Sequence, residues 1–326
     1  MNKLLDPPAA PARPQLSSSA AALWGTIYGA VSAVGYTATN ICMRSVTDCD
    51  PVWVMCIKTI PTVVGVAPWL IVRWRRGERV FPPLPVIATL AAAGLIGQLG
   101  GNVAFQWSLG IIGIALTVPL CMGMIIIAGA VLGRVLLHES VNTLTVVALA
   151  ILLAAIWILS VGAQDASNAM AELGTVSPWF VTAAVTGGCI SGLSYAILGV
   201  AIRKAVLGVS TVSATTFCIA IVGLLCLTPL AVHRIGVTEM LQTDRGDIAM
   251  MVLGGVFNLI AFLALTRALQ ITSLVHVNAL NASQVAMASV AGIVLFQEQA
   301  SPALTLGVCL TVVGLLIMPR HKRVGE

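Results

Sequence analysis

Charged residues are scarce in this chain, and their scarcity decides its class. Only 9% of the 326 residues are Asp, Glu, Lys or Arg, whereas 58% are apolar and the mean hydropathy is +1.00. That composition leaves too little polar surface for a soluble domain of this length. The apolar runs do not alternate as barrel strands would, so the sequence predicts an all-α polytopic membrane protein.

Catalytic and metal-binding motifs are also missing. The eight cysteines show no Cys-x-x-Cys spacing and no disulfide framework. His138-Glu139 begins like a zinc-protease motif, but Asn142 stands where the second histidine is required. The sequence contains no Gly-x-Ser-x-Gly, no phosphate-binding loop and no dinucleotide fingerprint. We therefore expect no catalytic residue, no metal and no cofactor.

Ten apolar runs are present, each long enough to cross roughly 30 Å of hydrocarbon as a helix. The predicted spans are Ala21–Met43, Pro51–Val72, Leu84–Leu109, Ile114–Leu136, Val141–Val161, Pro178–Ile202, Ser210–Val232, Asp247–Leu269, Leu274–Gln297 and Pro302–Met318. Residues 1–20 are predicted to be a disordered cytoplasmic tail, 163–176 an external linker, and 320–326 a basic cytoplasmic tail.

The chain repeats itself at an offset of 159 residues, so that residues 21–162 and 177–319 form two similar halves. Three residues of span 1 return in span 6, the arginine that follows span 1 returns after span 6, and Leu137-His138-Glu139-Ser140 returns as Phe296-Gln297-Glu298-Gln299. The four pairs are Gly29 and Gly188, Ser32 and Ser191, Tyr36 and Tyr195, and Arg44 and Arg203. Because five spans is an odd number, the second repeat must be inverted relative to the first.

Lysine and arginine are concentrated in the connections on the side of the two termini. Only Arg44, Arg234 and Arg245 fall on the opposite side, and Lys58 lies inside a span. Both termini are therefore predicted to be cytoplasmic. The same rule accounts for the net charge of +5 without a nucleic-acid partner.

The helix order, the two similar halves and the turns at Glu139 and Glu298 resemble the EamA-like family of the drug/metabolite transporter superfamily. Gly307 and Gly314 match the glycine-rich last helix, whereas Ala148 and Ala155 depart from that pattern in the first half. The resemblance implies ten helices around a central cavity lined by helices 1, 3, 4, 6, 8 and 9, with helices 5 and 10 at the periphery. It further implies efflux or uptake of a small metabolite.

Amides inside the spans are the first candidates for a substrate site, because the bilayer makes polar groups costly. Gln98 and Asn102 lie four residues apart on one helix face, and an offset of 160 pairs Gln98 with Asn258 at matching depth. Each amide is interpreted as lining a cavity or, alternatively, as making an interhelical hydrogen bond.

Span 9 carries the densest polar stripe, with Asn278, Asn281 and Gln284 recurring every three residues. We expect this stripe to face the cavity. His276 lies off the stripe, and it is either a group that handles a coupling proton or an interfacial histidine.

Two tyrosines and one lysine complete the candidate site. Tyr36 and Tyr195 occupy equivalent places in spans 1 and 6, as aromatic gates or as interfacial anchors. Lys58 lies about 10 Å along span 2, where it either snorkels to the interface or meets a ligand. No acid lies deep in any span, so a neutral, zwitterionic or anionic substrate is expected.

These features predict a secondary transporter of the inner (plasma) membrane that exports a small metabolite, such as an amino acid, by alternating access. A multidrug carrier or a sugar or nucleotide-type carrier is the nearest alternative. A membrane-embedded enzyme and a non-transporting scaffold are alternatives from other classes. The expected partners are the substrate, the bilayer, a coupling proton and a second copy of the chain.

Overall fold

The computed structural model describes residues 18–138, 143–172, 178–208, 210–296 and 302–317. Every regular element in these ranges is helical, which confirms the all-α class. The elements are α1 (Ser18–Arg44), α2 (Pro51–Arg75), α3 (Leu84–Ile96), a π-helical segment (Gly97–Val103), α4 (Ala104–Leu136), α5 (Thr143–Glu172), α6 (Pro178–Leu207), α7 (Val212–Gln242), α8 (Arg245–Ile271), α9 (Leu274–Asn281), α10 (Ser283–Phe296) and α11 (Pro302–Ile317).

Six helical stretches in the described part of the chain are long and apolar enough to cross a membrane. They are Pro51–Arg75, Leu84–Leu136, Trp179–Leu207, Val212–Gln242, Arg245–Ile271 and Leu274–Phe296. A span needs about 20 mainly apolar residues, and each stretch exceeds that length. The protein is therefore built as a multi-pass membrane protein.

The stretch Leu84–Leu136 contains 53 residues, which as a straight helix would measure about 80 Å. Its backbone leaves the helical region at Gly113, where φ is 71° and ψ is 177°. A positive φ is accessible to glycine without the steric cost that a Cβ would bring. The predicted turn between spans 3 and 4 ends at this residue.

Contacts with α6 show that the chain reverses direction at Gly113. Before Gly113 the chain runs antiparallel to α6, since Gly97 contacts Leu198 and Ser108 contacts Ala184. After Gly113 it runs parallel to α6, since Leu120 contacts Gly188 and Met124 contacts Gly192. The stretch is therefore a helical hairpin whose two arms both pack against α6.

The span predicted as one helix from Leu274 to Gln297 is interrupted between α9 and α10. Asn281 donates from Nδ2 to the carbonyl of Val277 (3.0 Å), and Ser283 donates from Oγ to the carbonyl of Leu280 (2.8 Å). Such side-chain bonds compete with the helical ladder. The break therefore lies inside the polar stripe, where the sequence supplies those side chains.

Two predicted helix ends are wrong. Helix α5 continues past Val161 to Glu172, because the segment following Val161 is rich in alanine, the residue that best favours a helix. Helix α7 continues past Val232 to Gln242, with a break at Gly236 (φ 75°). The tails 1–17 and 318–326 and the acids Glu139 and Glu298 lie outside the described residues.

Helices pack closely where glycine removes the side chain. A Cβ built on Gly192 of α6 would lie 2.3 Å from the carbonyl oxygen of Cys121 in α4. One turn earlier on the same helix, a Cβ on Gly188 would lie 3.5 Å from Leu120, which is ordinary contact. Small residues at such crossings allow van der Waals packing between spans in lipid.

The Gly192→Ala substitution is therefore expected to destabilise the fold by about 1–3 kcal/mol, since backbone rather than a mobile side chain must move. Gly188→Ala, the same change one turn away, serves as the control and is expected to leave the melting temperature of the purified protein nearly unchanged. Equal melting temperatures for the two variants would contradict the close α4–α6 contact.

Candidate functional site

A large cavity, here called the central cavity, lies between the helices of the described part of the chain. It encloses an empty volume of about 1170 Å³, its open mouth included. All nine residues proposed from the sequence line it: Tyr36, Lys58, Gln98, Asn102, Tyr195, Asn258, Asn278, Asn281 and Gln284. Their role in binding a substrate remains a prediction.

The helices that form the wall differ in part from those implied by the family resemblance. Helices α2 and α7 also contribute, through residues such as Lys58, Thr62 and Ile219. Among the described residues, α5 and α11 supply no lining side chain and pack against each other at Leu152 and Gly314. Helix α3 also supplies no lining residue, so the cavity wall is formed by the described helical elements other than α3, α5 and α11.

Lys58 is the centre of a polar cluster that we call the ammonium network, made of Lys58, Asn102, Gln98 and Tyr195. Lys58 donates from Nζ to Oδ1 of Asn102 (2.8 Å), and Tyr195 donates its hydroxyl to the same oxygen (2.8 Å). Asn102 in turn donates from Nδ2 to Oε1 of Gln98 (2.7 Å). Three helical elements are joined by these bonds.

The orientation of the Asn102 amide follows from this arrangement. An ammonium can only donate, so the atom of Asn102 that faces Lys58 must be the oxygen. That oxygen has two lone pairs, and two donors occupy them. Asn102 is fully used in holding Lys58 and Tyr195 in place.

Lys58 does not snorkel, which removes one of its two predicted roles. Its side chain is only 6% exposed, and its Nζ is directed to Asn102 on the cavity wall. No Asp or Glu lines the cavity in the described ranges. Lys58 is therefore a buried cation whose protein partner is a neutral amide.

The two tyrosines both face the central cavity and not the membrane interface. Tyr195 reaches the ammonium network through its hydroxyl, and its ring lies against Gly101 of the π-helical segment. Both tyrosines therefore belong to the cavity wall. Whether they act as gates remains a prediction.

The polar stripe of Asn278, Asn281 and Gln284 lines the cavity and also makes hydrogen bonds with other side chains and with the backbone. Cavity lining and hydrogen bonding within the bundle, which were given as alternatives for the amides, are therefore both observed. Asn278 donates to the carbonyl of Ile125 (3.4 Å). Ser32 donates to Oδ1 of Asn281 (3.2 Å), and Gln284 donates to the same oxygen (2.9 Å). These bonds leave little freedom for the stripe to rearrange.

Asn258 makes the weakest of these contacts, donating to Thr62 at 3.5 Å. His276 is buried, lies 3.5 Å from the hydroxyl of Thr26 through Nε2, and is not among the cavity-lining residues. A proton-handling role for His276 remains a prediction without support from the cavity.

Sequence reasoning missed several polar residues of the wall. Asn40 lies four residues after Tyr36, and Thr59 and Thr62 lie one and four residues after Lys58. Positions four apart share a helix face, so the tyrosine and the lysine, once placed in the cavity, would have pointed to Asn40 and Thr62.

In the described part of the chain, no group of three or more His, Cys, Asp or Glu residues lies close enough together to hold a metal ion. The arrangement supplies hydrogen-bond donors, aromatic faces and one positive charge. Such a wall can bind and orient a small molecule.

Removing the amide that faces Lys58 is expected to destabilise the fold. Asn102→Ala leaves a buried ammonium without its acceptor and should cost about 1.5–3 kcal/mol. In a Lys58→Met background the same change should cost clearly less, because no charge remains to be satisfied. Denaturant unfolding of the two single variants and the double variant measures this coupling.

Asn258→Ala serves as the matched control, since it removes an amide from the same cavity whose hydrogen bond is long. Its expected cost is about 0.5 kcal/mol. A coupling energy near zero between Lys58 and Asn102 would contradict the ammonium network.

Residues 182–319 match the model of the EamA-like transporter family. No curated protein matches the chain. One solved crystal structure of a protein is similar over 90% of this chain and 95% of its own, with a TM-score of 0.62 and 16% sequence identity, which shows a shared fold. Residues 182–319, which lie in the second predicted repeat, therefore match the EamA-like transporter family that the sequence resembles.

Proposed function

We propose that this protein is a secondary transporter of the plasma membrane that exports a small metabolite through the central cavity by alternating access. The observation that carries the proposal is the cavity itself, in which nine polar or aromatic side chains meet within a bundle of apolar helices. Polar groups at membrane depth are costly, and in transporters they mark the substrate pathway.

The same proposal includes ten spans arranged as two inverted repeats. The hairpin at Gly113 divides the stretch Leu84–Leu136 into two spans, and α9 with α10 forms one. Helix pairs related by the repeat make similar contacts, although the second partners lie one or two residues away from the offset of 159. Gly29 of α1 packs against Leu280 of α9 as Gly188 of α6 packs against Leu120 of α4, and Gly35 of α1 packs against Ala261 of α8 as Ser194 of α6 packs against Gly100 of the π-helical segment. Helix pairs related in this way support a twofold scaffold with the substrate site at its centre.

Alternating access requires contacts that close each end of the cavity in turn. At one end Arg234 pairs with Asp50 (2.9 Å), and Trp53 donates to Thr243 (3.0 Å). At the other end Arg203 donates to the carbonyl of Leu269. We propose that these contacts break and form as the two repeats rock against each other.

The cavity wall favours a neutral, zwitterionic or anionic cargo over a cation. Its described residues include one lysine and no carboxylate, so a cationic drug would meet repulsion without compensation. An amino acid or a related metabolite fits this requirement, whereas a cationic drug does not.

The other classes have less support. An embedded enzyme would need a cluster of catalytic acids, histidines or cysteines, and the described cavity wall holds only Cys121 among these residue types. A scaffold would not need amides directed into a cavity. A second copy of the chain and a coupling proton remain predictions from the sequence.

Reporter fusions test the ten-span arrangement. A reporter inserted in the Arg75–Leu84 connection and one fused after Arg323 should both be cytoplasmic, while one inserted at Thr243 should be external. Alkaline phosphatase and green fluorescent protein activities in cells report the two sides. An external C-terminus, or Thr243 on the same side as Arg75, would contradict the model.

Transport assays test the site. In proteoliposomes supplied with an extract of cellular metabolites, Gln98→Ala, Asn258→Ala and Asn281→Ala should each reduce uptake by about tenfold, if each removes one hydrogen bond to the substrate. Mass spectrometry of the vesicle contents measures the uptake. Melting temperatures recorded in parallel separate a loss of binding from a loss of folding.

Ser289→Ala is the matched control for Asn281→Ala, because Ser289 is a buried polar residue of α10 that bonds only to the carbonyl of Val285 and lies outside the cavity wall. Its transport should match that of the unmodified protein. If the three amide variants lose stability and keep full transport per folded molecule, the amides are packing contacts only.

A further inference from the structure

We infer that the cargo is an organic monoanion, a carboxylate joined to an apolar body, and that Lys58 selects it against the corresponding zwitterion. This inference rests on the proposed function and names the substrate class of the same cavity. It follows from three observations: the spare donors of Lys58, the occupied acceptors around it, and the apolar half of the cavity.

Lys58 has unused hydrogen-bonding capacity on the cavity side. An ammonium carries three donors, and among the described residues Asn102 alone accepts from Nζ. Because the side chain is 6% exposed, the remaining donors meet the cavity and not bulk water. A carboxylate can accept both of them, as a charge-assisted pair.

Two of the amide oxygens in the cavity wall, including the one that contacts Lys58, are already engaged. Oδ1 of Asn102 accepts from Lys58 and Tyr195, and Oδ1 of Asn281 accepts from Ser32 and Gln284. The remaining acceptor capacity near Lys58 lies beside a positive charge, which repels a second cation. Beside Lys58 the wall therefore offers donors to a carboxylate, while the oxygen of Asn102 has no lone pair left for the ammonium of a zwitterion.

Charge balance leads to the same conclusion. A monoanion bound at Lys58 leaves the loaded cavity neutral, whereas a zwitterion leaves a net charge of one and a cation leaves two. An uncompensated charge enclosed at membrane depth costs several kcal/mol. The neutral complex therefore has the lowest electrostatic free energy when the cavity is closed on both sides.

The rest of the cavity is suited to hydrocarbon. Beyond Tyr195, α6 presents Leu198 and Ile202 to the cavity, and beyond Asn258, α8 presents Phe262, Leu265 and Leu269. At 1.5 Å per residue these faces extend for about 10 Å and 16 Å. A chain of several carbons or an aromatic ring fills such a space, while a small dicarboxylate does not.

Four matched probes separate the charge types: 3-phenylpropanoate, phenylalanine, 3-phenylpropanamide and 3-phenylpropylamine. Binding to the full-length protein in lipid nanodiscs is measured by calorimetry, with straight-chain carboxylates from acetate to decanoate added for body size. We expect 3-phenylpropanoate to bind about tenfold more tightly than phenylalanine or the amide, and the amine not to bind.

Variants of the ammonium network identify the selecting residue. Lys58→Met should bring 3-phenylpropanoate down to the affinity of its amide, and Lys58→Arg should preserve the difference. Asn102→Asp places a carboxylate where Nζ now donates over 2.8 Å. It should lower the affinity for 3-phenylpropanoate by about tenfold without lowering the melting temperature, so it remains informative if Lys58→Met folds poorly.

The outcomes distinguish this inference from the proposed function. Phenylalanine or the amide binding as well as the acid, an unchanged preference in Asn102→Asp, or no binding by any monocarboxylate would overturn the inference. Uptake of phenylalanine but not of 3-phenylpropanoate into proteoliposomes would overturn it while leaving the transporter in place. Lys58-dependent binding of the acid without any flux would overturn the transporter and keep the selectivity.

Discussion

One buried ammonium sets the requirements for the centre of this protein. Nζ of Lys58 is enclosed among apolar helices, where an unsatisfied charge is costly. Asn102 satisfies it in part, and Asn102 is held by Gln98 and Tyr195. Gln98 in turn needs the space beside Gly223, where a Cβ would lie 2.4 Å from Nε2 of Gln98. Lys58 thereby fixes side chains on the π-helical segment and α6, and the position of Gln98 requires a glycine on α7.

Irregular backbone accompanies these polar groups. Gln98 and Asn102 lie in the π-helical segment, and Asn281 ends α9 at the break before α10. π-helical turns are rare and occur frequently at functional sites. At membrane depth, non-helical backbone is tolerated where it is enclosed by protein or lines a cavity. Both irregular segments carry residues that line the central cavity, so helix geometry and cavity chemistry coincide.

Much of this arrangement could be predicted from the sequence, because the bilayer simplifies the problem. Amides such as Asn258 and Asn278 cannot face lipid, so their presence in apolar runs already placed them in an interior. The direction of Lys58 could not be predicted, since a long side chain at that depth reaches either the interface or the cavity. Hydropathy did not predict the break before Ser283, because it does not take account of hydrogen bonds from side chains to the backbone. It did not predict the extension of α5 to Glu172 either, because it does not take account of helix propensity.

The scaffold is repeated, but its charge is not. At the offset of 159, Lys58 corresponds to Phe217, which packs against Val66 and Leu70, and Asn102 corresponds to Ala261, which packs against Gly35. A fully symmetric cavity would present two ammonium groups and suit a dianion bound in either direction. Because Lys58 and Asn102 have no polar counterpart at the offset, the described cavity wall carries its one lysine on one side. In the proposed transporter, the inverted repeat would supply the two-sided motion, and the departure from symmetry would supply the orientation of the cargo.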